Sequence, residues 1–218
     1  MRQLFIVTAS ALSLATSAFA HTEPEVKAGP RIAASSAPPA VAGTRDPQAY
    51  FTDAGLVTQD GRKVKFYSDM LKGKVALVNV MYASCTDACP LITKQLAAVR
   101  DELGPLFGEK VFFVSISSDP VRDTPQALKK FAQKQNADVA GWTFLTGGKK
   151  DIDTILNRMR VWSENVEEHA TVLYILDVDR KRMRKMLPNL PPKAIAEAAR
   201  IIASNEKTPA PGKIPHAN

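Results

Sequence analysis

The 218-residue sequence predicts an α/β fold: a central mixed sheet flanked by helices, with an added N-terminal β-hairpin. Three observations predict it. Apolar runs rich in β-branched residues at 74–82, 110–116 and 170–176 suit strands buried on both faces. Helix-periodic segments follow the first two runs, which implies crossover connections and parallel pairing. Two short extended runs between residues 50 and 66 flank Asp60-Gly61, a pair that accepts the positive φ of a hairpin turn.

The elements follow in order. After the hairpin, residues 74–82 (KVALVNVMY) form the first core strand, which ends at the cysteines. From about residue 87 to 103, Leu91, Ile92, Leu96, Val99 and Leu103 recur at helical spacing, and Pro90 is tolerated only in a first turn. Residues 110–116 are the next buried strand. Asp123-Thr124-Pro125 then supplies a side-chain cap and an early proline for a helix through about residue 134. A short strand at 142–145, a helix at 150–161 and a strong strand at 170–176 come next. A turn at 177–181 leads to a strand at 183–187, and Pro191-Pro192 opens a last amphipathic helix ending near Ser204. This order of β-α-β-α followed by a hairpin and a helix is the thioredoxin architecture.

The ends carry different signals. Residues 1–20 have Arg2 as a positive start, a mainly apolar stretch and small residues at Ala18 and Ala20, the pattern of a secretory signal peptide cleaved after Ala20. An uncleaved membrane anchor is the alternative, but the apolar stretch is short of the roughly 18 residues that span a bilayer. Cleavage takes twenty residues from 218 to leave 198, and with Arg2 the leader's one charge, the net charge goes from +7 to +6. The expected address is the periplasm or cell envelope, which is oxidising. Residues 21–45 are rich in Ala, Pro and Ser and read as a disordered linker; residues 205–218, with three prolines, read as a flexible tail. The patterned domain occupies 46–204. Basic residues cluster at Arg180, Lys181, Arg182, Arg184 and Lys185, with few aromatics among them, so a solvated hairpin is expected rather than a nucleic-acid surface. An acidic partner or transient proximity to a membrane surface stays open, and a monomer is expected.

The chemistry concentrates in Tyr82-Ala-Ser-Cys-Thr-Asp-Ala-Cys-Pro90, which holds the chain's two cysteines. Spaced four apart at a helix start, Cys85 and Cys89 are expected to share one face. The N–H groups and dipole there favour thiolates, which are the nucleophiles of disulfide exchange and soft ligands for cuprous copper or zinc. A structural disulfide fits the same spacing, though it would close too small a loop to restrict the unfolded chain much. Of three histidines, His21 and His216 fall in the end segments. His21 would begin the mature chain, where its amino group and imidazole can chelate copper together. His169 immediately precedes the strong strand at 170–176, and in this architecture that loop comes up against the helix start with the cysteines. Two thiolates and one imidazole then make a three-coordinate soft-metal site.

With these residues the sequence resembles the Sco/SenC family of copper chaperones for cytochrome oxidase assembly, over residues 50–204. The matching blocks are Phe51-Thr-Asp53 with Gly61, Gly73-Lys74, Cys85 to Pro90, Ser118-Asp-Pro-Val-Arg-Asp-Thr-Pro125, and His169 before Tyr174-Ile-Leu-Asp177. The resemblance implies that Cys85, Cys89 and His169 bind a copper ion and that Asp87, between the cysteines, is an acid supporting that site. Arg122 and Asp123 are read as helix-start structure. Three departures stand out: Thr86 occupies a position where many members carry proline, the hairpin at Asp179-Arg180 lacks glycine, and a cleavable leader takes the place of an anchor.

Three functions compete. A copper metallochaperone would pass its metal to a copper-receiving protein such as the copper subunit of cytochrome oxidase, with no turnover of its own. A thiol-disulfide reductase would use Cys85 and Cys89 to keep a disulfide-bearing partner's copper-ligand cysteines reduced. The C-x-x-x-C spacing and His169-Ala170 in place of a proline favour metal. A peroxidase of the peroxiredoxin type lacks its T-x-x-C context here.

Overall fold

In the computed structural model, which describes residues 46–204, the chain runs α1 (Pro47–Phe51), β1 (Gly55–Thr58), β2 (Lys63–Lys65), β3 (Val75–Met81), α2 (Ala88–Leu103), β4 (Val111–Ser117), α3 (Pro125–Lys134), β5 (Trp142–Gly147), α4 (Lys149–Arg158), β6 (Leu173–Asp177), β7 (Arg182–Met186) and α5 (Pro192–Ala203). The leader, the linker, the tail, His21 and His216 lie outside the described residues. Among those described, no helix is long and apolar enough to cross a membrane.

One mixed sheet has the order β2-β1-β5-β4-β3-β6-β7. β3 pairs in parallel with β4 from Val75↔Val111 to Met81↔Ser117, and antiparallel with β6 from Val75↔Asp177 to Asn79↔Leu173. Every residue of β3 is buried, as an unbroken apolar run between two covered faces requires. One face packs Leu77, Phe113 and Ile175 against Leu96 and Val99 of α2, Leu128 of α3 and Ile195 of α5. The other packs Val78, Ile116 and Leu145 against Phe66 and Leu71 of a π-helical turn and Ile152 and Ile155 of α4.

The predicted architecture stands, with shifts at element ends. The hairpin forms at β1–β2 with Gly61 at φ 78°. α1 is an addition: Asp46 accepts the Gln48 N–H at 3.0 Å and Pro47 fills the first helical position. α4 stops at Arg158 rather than 161, because Arg160 turns into the left-handed region (φ 57°) and the Val161 N–H closes back on Leu156 O. β6 begins at Leu173 rather than 170, where its ladder with β3 begins. The β6–β7 turn, lacking glycine, places Lys181 at φ 55°.

Asn79 interrupts the apolar run of β3, and the sheet answers it. The Ser115 hydroxyl donates to Asn79 Oδ1 at 2.7 Å, and Trp142 Nε1 donates to the Ser115 oxygen at 3.0 Å, all three residues being buried. Ser115→Ala strips partners from both ends of this chain, so denaturant unfolding should show a loss of about 1–3 kcal/mol.

Candidate metal and redox site

Where β3 ends and α2 begins, the chain turns within residues 82–87 and exposes the unpaired N–H groups that every helix start presents. The Cys85 N–H bonds Tyr82 O at 3.2 Å, which folds the turn and brings the Cys85 sulfur over the helix end. The Cys89 N–H then donates to Cys85 Sγ at 3.3 Å, and the Asp87 N–H also hydrogen-bonds this sulfur. Cys85 therefore occupies the place of a capping acceptor. The expected shared helical face is corrected on this point: Cys85 precedes α2, and only Cys89, at its second residue, is helical.

This placement makes the thiols unequal. Both are free, Cys85 half-buried and Cys89 buried. Burial acts to raise the Cys85 thiol, but hydrogen bonds from the N–H groups of Cys89 and Asp87, from the Cys89 thiol and from the Tyr82 hydroxyl outweigh it and hold the group below the usual range. Burial pushes the Cys89 thiol up to about 12, with its bond to Cys85 and the negative charges of Cys85 and Asp123 adding to the rise. Cys85 is the thiol that gives up its proton more readily, and Cys89 is held back.

His169 follows a short 3-10 turn (Val166–Glu168) capped by Asn165, whose side chain accepts the Glu167 N–H at 3.1 Å. Because β6 runs antiparallel to β3, the segment entering β6 lies at the sheet end where β3 exits. His169 is buried, and its Nδ1 lies 2.7 Å from Val166 O. A carbonyl only accepts, so Nδ1 is the donor here, and in the neutral ring this tautomer leaves Nε2 the lone pair that a metal needs. The ring meets Tyr82 edge to face, centroids 5.7 Å apart. Tyr82, whose hydroxyl group is pushed up to about 12 by its bond to Cys85 and by burial, thus links histidine to thiol. Among the described residues, no group of three His, Cys, Asp or Glu side chains converges to hold a metal ion in this state.

Asp87 is exposed, and its carboxylate makes no capping bond; its backbone N–H is what reaches Cys85. Asp123 has the larger role and is not part of the α3 cap, which Thr124 provides by accepting the Ala127 N–H. Its buried carboxylate receives the Ala83 N–H at 3.2 and 3.1 Å and the Ser117 hydroxyl at 2.6 Å, pinning the cysteine turn from beneath. Arg122 pairs with Asp119, whose N–H donates to the same Ser117 oxygen at 3.0 Å.

Residues 42–204 match the family model described as SCO1/SenC. A SCO2-like protein of Rickettsia conorii is 27% identical over 158 residues, covering 68% of this chain and 74% of its own. The structure of Bradyrhizobium japonicum ScoI with copper bound is 26% identical with a TM-score of 0.56, covering 67% of this chain and 94% of that one. BsSco, described with a disulfide switch and as a member of the Sco family of cytochrome c oxidase assembly proteins, is 27% identical with a TM-score of 0.58, covering 72% and 94%.

Two measurements test the site. Alkylation of Cys85 should rise with pH through a midpoint below the ordinary thiol value of about 8.5, since only the thiolate reacts. Tyr82→Phe, which removes a donor to that thiolate, should move the midpoint upward, while Cys89 stays unreactive across the neutral range. Asp123→Ala should lower unfolding stability by about 1–3 kcal/mol, because Ala83 and Ser117 lose their buried acceptor.

Proposed function

The chain belongs to the SCO1/SenC family, and from that premise we propose that it is an exported copper-handling protein of the cell envelope. It holds copper through Cys85, Cys89 and His169 and delivers it to a copper-receiving protein such as the copper subunit of cytochrome oxidase. The observation that carries this reading is the unequal thiol pair at the start of α2, with the free Nε2 of a buried histidine entering the same end of the sheet.

The residues divide the work. Cys85, the more acidic of the two thiols, is the first donor to meet the metal. Cys89 must release a proton to join it, so binding weakens as pH falls. His169, on the segment between α4 and β6 and already set against the Tyr82 ring, completes the set. Two soft sulfurs and an imidazole suit cuprous copper, and fewer than four ligands leave room for a recipient's donor during exchange. Asp87 sits exposed between the cysteines, placed to meet that recipient rather than the metal.

The same thiol asymmetry supports a reductase reading. The Cys85 thiolate attacks a partner's disulfide, one partner sulfur leaves as thiolate, and Cys89 displaces the other from the mixed disulfide. The partner gains two electrons and ends as a dithiol; Cys85 and Cys89 end joined.

Anaerobic copper titration of reduced protein against a competing chelator separates the two. One-to-one binding lost in Cys85→Ser, Cys89→Ser and His169→Ala supports the copper reading. Binding that ignores His169→Ala, alongside intact disulfide reduction, leaves the reductase.

A further inference from the structure

Among the described residues the sheet ends on β7 with no strand beyond it, and five of the six residues from 180 to 185 are Arg or Lys. Arg180 is paired with Asp177, and Arg182 donates to Ser204 O at 3.0 Å. Arg184 and Lys185 are exposed, and neither has an ion-pair partner among the described residues; Lys185 Nζ lies 5.6 Å above the Tyr174 ring. Charge on an edge strand commonly serves only to repel other edges. The opposite edge fits that description: Lys63 and Lys65 flank a buried Val64, with Asp69 accepting the Lys65 N–H at 2.7 Å.

β7 differs in what adjoins it. Large apolar side chains stand in water beside it: Met183 (61% exposed), Leu187 (57%) and Leu190 (37%), with Leu91 (65%) on the first turns of α2. Leu187, Leu190 and Leu91 lie toward the thiol end of this edge, whereas Met183, paired with Leu176, lies farther back along it. Met186 pairs with Leu173, which pairs with Asn79, so β7 ends where β3 delivers the cysteines. Gln95 of α2 donates to Leu190 O, and Leu91 lies one turn before Gln95 on the same helix face, two residues after Cys89. An apolar strip therefore connects the helix bearing Cys89 to a cationic edge.

We propose that the β7 edge with Leu91, Leu187 and Leu190 is the docking surface for the copper-receiving protein, which meets it with an apolar centre rimmed by acidic side chains. This rests on the copper reading above. Complementary charge selects the occupant. A second copy would bring the same cations against them. The chain's own end segments carry no excess of acids to offer it: residues 21–45 hold two acids against three bases, and residues 205–218 hold one against two. An anionic membrane would satisfy the cations, but it offers the apolar strip no reason to border the thiols.

The test uses reduced, metal-free protein, so that it is independent of copper binding. Its amide NMR shifts are followed during titration with the soluble copper-accepting domain of the same cell's cytochrome oxidase. Shifts confined to residues 182–190 and the first turns of α2 are expected. Affinity should fall about tenfold in the double variant Arg184→Glu, Lys185→Glu and fall with added salt, and stay unchanged in Lys63→Glu, Lys65→Glu. Shifts on another face, no binding, or indifference to the β7 reversal would overturn the proposal. So would capture by vesicles of equimolar phosphatidylcholine and phosphatidylglycerol while the domain fails to bind. Docking that survives alongside failed copper titration would instead remove the copper reading and leave the surface standing.

Discussion

The N–H groups at the start of α2 need an acceptor the moment β3 ends, and a sulfur supplies it. An oxygen cap would satisfy the helix and do nothing more. Cys85 in that position is drawn toward the thiolate by the bonds it accepts. Once it is placed there, the four-residue spacing sends Cys89 into the core beside Leu96 and Met81, where its charge is disfavoured. One capping requirement thus divides two identical side chains into an available nucleophile and a withheld one.

Holding that division needs the turn to stay still, and the support comes from the strand that runs beside it. β4 and β3 end together at Met81↔Ser117, so the residues after Ser117 emerge under the cysteine turn. Asp123 reaches up to the Ala83 N–H, and the Ser118 N–H bonds Met81 O at 2.8 Å. A buried carboxylate is costly unless it is hydrogen-bonded, and the Ala83 N–H and Ser117 hydroxyl offset part of that cost, although burial still holds the group above the usual carboxylate range. The polar ends of the two central strands are joined to each other rather than to solvent.

Much of this was legible in the sequence because it rests on local pattern. The buried strands announced themselves by continuous apolar runs, α2 by its periodicity and Pro90, and α3 by Thr124-Pro125. That the cysteines and His169 come to the same end of the sheet was visible from the strand order. What escaped depends on partners distant in the chain. Tyr82 read as the last strand residue, since nothing local shows that its hydroxyl meets Cys85 and its ring meets His169. Asp123 read as a helix-start residue, because an acid before Thr-Pro looks like a cap until Ala83 is seen 40 positions away. α1 had a signal in Asp46-Pro47, masked by the Pro- and Ala-rich stretch before it. The end of α4 was set too late because Val161 is apolar and in phase, while the left-handed turn at Arg160 carries no residue-type signal.

The antiparallel entry of β6 has a consequence for how such a protein can change. The thiols and the imidazole are supplied by separate connections that share one sheet end but no segment of backbone. Altering the length or composition of the α4–β6 connection alters the histidine's reach without disturbing the thiol turn, and the reverse holds for residues 82–87. The reach of the histidine and the geometry of the thiol turn are therefore separately heritable on one scaffold. A lineage or an engineer can alter either one and leave the core between them intact.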